Sequence, residues 1–68
     1  VSARESVGNN VEKYRKHASI TQEELGQAVQ VTRQTIISIE KGNYVPSVLL
    51  ALKISQFFKV PLEKVFHL

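Results

Sequence analysis

The sequence predicts an all-α fold, a compact bundle of five short helices. Three observations predict it. Apolar residues recur at intervals of three and four rather than in alternation, which is the helical period. Thr21, Thr32 and Ser47 each stand just before such a stretch, where a hydroxyl can accept from the unpaired N–H groups of a helix start. Gly42 and Pro46 then supply a left-handed stop and a residue that forbids helix just before it. No strand signal, internal repeat or low-complexity run appears along the chain.

Residues 1–8, VSARESVG, are polar without sustained periodicity, so they are expected to form a flexible arm ahead of one domain over residues 9–68. Arg4 alone is weak support for a contact arm. Asn9 or Asn10 caps a first helix that runs to about Ala18, with Val11, Tyr14 and Ala18 as its inward stripe. Lys13, Arg15, Lys16 and His17 make this helix basic; the lysines are expected to be solvated and Arg15 to pair internally with Glu40. Ile20 precedes Thr21 and can act as a hydrophobic staple.

The second helix opens on Thr21-Gln22-Glu23-Glu24, a capping box in which Thr21 and Glu24 satisfy each other's backbone N–H groups. Glu23 and Glu24 also sit where the helix macrodipole favours negative charge. Leu25, Ala28 and Val29 form its apolar face. Glycine inside a helix costs about 1 kcal/mol against alanine, so Gly26 predicts that another backbone passes close by.

Thr32 caps a third helix that reaches about Glu40. At about 100° per residue, Ile36 and Ile39 fall together as the buried stripe, while Arg33, Gln34, Ile37 and Ser38 fall on the opposite arc. A surface helix would ordinarily carry several Lys and Glu there. A guanidinium, an amide, an aliphatic chain and a hydroxyl instead suit the base edges of duplex DNA.

After the loop Asn43-Tyr44-Val45-Pro46, Ser47 caps a fourth helix to about Phe58. Its expected inner set is Val48, Ala51, Leu52, Ile54, Ser55 and Phe58, which leaves Leu49, Leu50 and Phe57 over. A helix apolar nearly all round is buried on both sides or meets a partner chain. Pro61 lies at or beside the start of a last short helix, folded back through Leu62, Val65 and Phe66.

Length and composition set the bounds. The 68 residues make one small domain with a core only just sufficient, and the 43% apolar content argues for a folded chain. A formal charge of +3 and a pI near 9.5 favour an anionic partner. With no Cys, disulfides and thiolate metal sites are excluded. No apolar run approaches the roughly 20 residues of a membrane span, so the expected location is the cytoplasm.

TQEEL followed by VTRQTIISIEKGNYVPS, then the LALKI and VPLEKVF segments, resembles a known family. These segments are similar to the Cro/C1 or Xre type of helix-turn-helix regulators, which includes the lambdoid phage repressors and Cro. The resemblance covers about residues 9–66. It implies a lambda repressor-like five-helix bundle that binds operator DNA as a dimer. Position by position, it implies that Gln22, Thr32, Lys41 and Asn43 contact the DNA backbone and that Arg33, Gln34 and Ser38 reach base edges; Ile37 is added to the base-reading set from the outward arc of the helix. Arg15 and Glu40 match an internal ion pair of the family, and Leu25, Val29, Val31, Ile36 and Ile39 match its packing positions.

The chain departs from that pattern at the turn. Gln30 replaces the usual Gly, and a Gln kept at positive φ costs on the order of 1 kcal/mol. Ser19 and Lys59 also replace residues that are often Gly, and Gly26 stands where Ala is frequent. None of these exchanges removes a DNA-facing group.

The sequence therefore implies a double-stranded DNA-binding transcriptional regulator, expected to be a repressor, that reads the major groove with residues 32–40. A homodimer is expected to use Phe57, Phe66 and Leu68, because a chain this short has little core in which to bury them. The alternative is a protein-interaction module, such as a transcriptional adaptor or an antitoxin. It would use Ile37, Tyr44, Leu49, Phe57 and Val65 to Leu68. An enzyme is not expected: the chain has no Asp and no Cys, and His17 and His67 lack paired carboxylates or metal-ligand spacing. His67 is expected in a mobile C-terminal end. No cofactor or metal is implied.

Overall fold

The computed structural model describes residues 6–68. Thr21, Thr32 and Ser47 each start a helix as their hydroxyls permit. The Thr21 hydroxyl accepts from Glu24 N–H at 3.0 Å, and the Glu24 carboxylate accepts from Thr21 N–H at 2.8 Å, completing the capping box. The Thr32 hydroxyl accepts from Thr35 N–H at 3.2 Å, and that of Ser47 from Leu50 N–H at 3.1 Å. These caps open α2 (Gln22–Val29), α3 (Arg33–Glu40) and α4 (Val48–Phe58). Ahead of them lies α1 (Val11–His17), and after them α5 (Leu62–Val65), whose cap position is Pro61.

Two short strands add to the five helices. Gly8–Asn9, β1, pairs antiparallel with Phe66–His67, β2, with Gly8 opposite His67 and Asn9 opposite Phe66. No strand was expected, and a ladder of two residues carries no period for a sequence to show. Tertiary closure makes it: Asn10 N–H reaches Val65 C=O at 2.8 Å, and the Asn10 side chain reaches Lys64 C=O at 3.0 Å. The C-terminal end around His67 is thus paired rather than loose. Of the expected arm over 1–8, residues 1–5, with Arg4, lie outside the described residues, while Gly8 belongs to the ladder.

Asn10 occupies the cap position of α1 without a side-chain cap. Asn9 takes that role, its Oδ1 accepting from Val11 N–H at 3.1 Å.

The core is Val11, Leu25, Val29, Ile36, Ile39, Leu50, Ile54 and Val65, with Tyr14, Ile20, Val31, Phe58, Val60 and Phe66 packed against it. Every helix contributes to it. Four expected inner residues point outward instead: Ala18, Ala28, Val48 and Leu52 are exposed. In α1 the inward face runs through Val11 and Arg15, so the buried guanidinium takes the place given to Ala18. In α2 Gly26 is buried where Ala28 was expected. In α4 the inward face is Leu50, Ala51, Ile54 and Ser55, centred about a quarter turn from Val48. A helix apolar on every side carries no moment strong enough to fix its rotation.

Gly26 confirms the close approach that its place in a helix predicted. A Cβ there would lie 2.8 Å from Val31 O and 3.2 Å from the Thr32 carbonyl carbon. The Gly26 carbonyl accepts Val31 N–H at 2.8 Å, so the turn after α2 folds directly onto it. Gln30 turns the chain at φ 68°, in the left-handed region its departure from Gly implied. Ser19 and Lys59 hold φ 60° and 59° in the same region. At the end of α3, Gly42 has φ 80°.

Candidate nucleic-acid interface

The two short helices α2 and α3 meet across the Gly26 turn, and this crossing fixes which side of α3 faces out. Ile36 and Ile39 are completely buried, whereas Arg33 and Gln34 are exposed and Ile37 and Ser38 half-buried. The helical period therefore separates a core-facing edge from a polar edge within eight residues.

The loop after α3 doubles back beside that polar edge. Gly42 N–H bonds Ile39 C=O at 2.9 Å and Asn43 N–H bonds Ser38 C=O at 3.0 Å, which satisfies the last carbonyls of the helix. The result is a shallow groove of about 380 Å³ lined by Thr32, Gln34, Thr35, Ser38, Asn43 and Tyr44. A second open recess, about 570 Å³, lies where the starts of α2 and α3 approach each other. Gln22 and Arg33 line it together with Arg15, Thr21 and Glu23.

The expected DNA-facing residues therefore fall into two sets. Thr32, Gln34, Ser38 and Asn43 share the groove, and Gln22 and Arg33 share the recess. Lys41 stands exposed at the C-terminal cap of α3, outside both linings, as is Ile37. Thr35 and Tyr44 line the groove without having been singled out for it. Thr35 is half-buried and its hydroxyl lies 3.1 Å from that of Thr32. The left-handed Gly42 was the available signal for Tyr44, since a chain reversed there brings its next residues back along α3.

Beneath the recess, Arg15 Nε donates to Glu40 Oε2 at 2.7 Å and Arg15 Nη2 to Glu40 Oε1 at 3.1 Å, a two-pronged ion pair. Arg15 Nη1 also donates to Ile20 C=O at 3.0 Å. The hydrogen bond with Glu40 raises the Arg15 pKa above its ordinary value, with burial acting the other way. Gln22 Nε2 donates to Glu40 Oε1 at 3.0 Å, so a residue expected at the DNA backbone is also tied into the protein. The charge of Glu40 is balanced internally, and among the described residues Arg33 and Lys41 are exposed cations of this face.

Among the described residues, no three His, Cys, Asp or Glu side chains are placed to hold a metal ion, and no helix is long and apolar enough to cross a membrane.

Comparison with known proteins gives one consistent answer. A helix-turn-helix family model matches residues 11–65. The uncharacterized HTH-type transcriptional regulator YgzD of Bacillus subtilis is 53% identical over 60 residues, spanning 88% of this chain and 91% of that protein. An uncharacterized HTH-type transcriptional regulator of Methanocaldococcus jannaschii is 50% identical over 58 residues, spanning 85% and 88%. The crystal structure of the restriction-modification controller protein C.AhdI from Aeromonas hydrophila superposes with a TM-score of 0.75, covering 81% of this chain and 83% of its own. At 18% identity it shows that the fold is shared. The chain therefore belongs to the Cro/C1-type helix-turn-helix family of transcriptional regulators.

Proposed function

We propose that this DNA-binding regulator reads operator sequence as a twofold dimer, with α3 of each protomer in a major groove. One observation carries the reading: the exposed edge of α3 and the loop behind it gather Gln34, Ser38, Thr32 and Asn43 into one groove while Ile36 and Ile39 anchor the opposite edge. Arg33, Gln34, Ile37 and Ser38 read bases, and Gln22, Thr32, Lys41 and Asn43 hold the backbone. A dimer seated on its operator occludes the site from other proteins, so the expected effect is repression, in the cytoplasm.

Dimerisation is supported by apolar side chains left outside the core. Val48, Leu49, Leu52 and Phe57 of α4 are exposed, as is Leu68. Of the residues expected at the interface, Phe66 is half-buried and packs against the core, so α4 supplies more of the available surface than β2 does. The same patch, continued by Tyr44 and Val45, supports a second reading as a protein-interaction module. Salt separates the two, because phosphate contacts weaken steeply as salt rises and an apolar interface does not.

Selection of bound duplexes from a random pool tests the reading. The expected product is a twofold-symmetric site with half-sites about 34 Å apart, one turn of DNA. A pool that yields no enriched sequence overturns it.

A further inference from the structure

We infer that Glu40 is a positioning residue for DNA binding, holding the Gln22 amide at the phosphate-facing start of α2; this rests on the DNA reading above. Glu40 is the last residue of α3, where the macrodipole disfavours a carboxylate, and its side chain is only 4% exposed. Such a group is tolerated when its lone pairs are filled, and here Arg15 fills two and Gln22 a third. The Arg15 bonds account for the charge. They do not account for Gln22.

Gln22 is the first residue of α2, half-buried, and lines the same recess as Arg33, the first residue of α3. An amide nitrogen has two hydrogens. One goes to Glu40 Oε1, and the second hydrogen and the carbonyl oxygen have no bond to another described residue. A hydrogen bond to a carboxylate is stronger than one between neutral groups, so the amide is held before DNA arrives and its free hydrogen need not be ordered on binding. Glu40 thereby joins the far end of α3 to the near end of α2 through one oxygen atom.

The test separates positioning from simple support of the fold. Replacing a buried ion pair by apolar residues of similar size is often neutral for stability. The double variant Arg15→Met/Glu40→Leu is therefore compared with Gln22→Ala and with the triple variant, on the duplex selected by the wild-type protein. Gln22→Ala is expected to weaken binding about tenfold, the worth of one charge-assisted hydrogen bond. The folded double variant should lose a similar factor or more, and adding Gln22→Ala to it should then cost less than about twofold. A double variant that melts normally and binds like wild type, or a triple variant that loses a further tenfold, overturns the inference. Should the double variant not fold, the wild-type Gln22 side-chain amide is measured by 15N relaxation without DNA, against that of exposed Gln27 on the same helix. An order parameter for Gln22 well above that of Gln27 supports the inference, and equal values overturn it. If the wild-type protein selects no duplex, the DNA reading has failed and the inference falls with it; if selection succeeds, the variants and the relaxation measurement judge Glu40 alone.

Discussion

The side chain of Asn9 donates to the backbone carbonyl of Ile39 at 2.9 Å, joining the first strand to the last turn of α3 across thirty residues of sequence. The same side chain accepts from Val11 N–H at 3.1 Å. One amide thus closes the start of α1 and steadies the end of the helix proposed to read DNA. Asn9→Ala would leave both backbone groups without this partner, and we expect a loss of about 1–3 kcal/mol in urea unfolding. Asn9→Asp keeps the acceptor for Val11 but removes the donor to Ile39, so it should also destabilise.

The left-handed residues Lys59 and Gln30 predict gains rather than losses. Lys59 caps α4 at φ 59° and is exposed, so Lys59→Gly should stabilise the domain by about 0.5–1 kcal/mol. Gln30 offsets part of that cost with a side-chain hydrogen bond, its Oε1 accepting from Lys53 Nζ at 2.7 Å. Gln30→Gly loses that bond as the backbone relaxes. Its gain should therefore be smaller than that of Lys59→Gly, which paired melting curves would show. A larger gain at Gln30 would contradict this account of the turn.

On the outer face of α4, Leu52→Glu should convert dimer to monomer without unfolding the chain, because Leu52 is 44% exposed and lies outside the core. Sedimentation at micromolar concentration reads this directly. If the wild-type protein sediments as a monomer with and without DNA, the proposed dimer is wrong.

What the sequence made legible was set by local chemistry. The caps at Thr21, Thr32 and Ser47 and the left-handed Gly42 are decided within four residues, and the structure places each as read. Gly26 also spoke for itself, since an unfavourable residue in a helix calls for a close neighbour, here Val31. The rotation of α4 was illegible because nearly every side of it is apolar, and only packing against α2 and α5 selects Leu50 over Val48. The β1–β2 ladder was illegible because its strands are only two residues long and pair the start of the domain with its end, Gly8 with His67 and Asn9 with Phe66. At the candidate site, the outward arc of α3 followed from period alone. The bond from Gln22 to Glu40 depends on how two helices cross, and no spacing announces it.

The central claim, that α3 reads bases while its flanks hold the backbone, is tested most directly by one set of titrations. Wild type, Arg33→Ala and Lys41→Ala are titrated over a range of salt against the selected duplex and its single-base variants. Arg33→Ala is expected to lose about 1–3 kcal/mol and its preference at one base pair, while Lys41→Ala weakens all duplexes alike and lowers the salt slope by about one. Unchanged base preference in Arg33→Ala, or a new preference in Lys41→Ala, would contradict it.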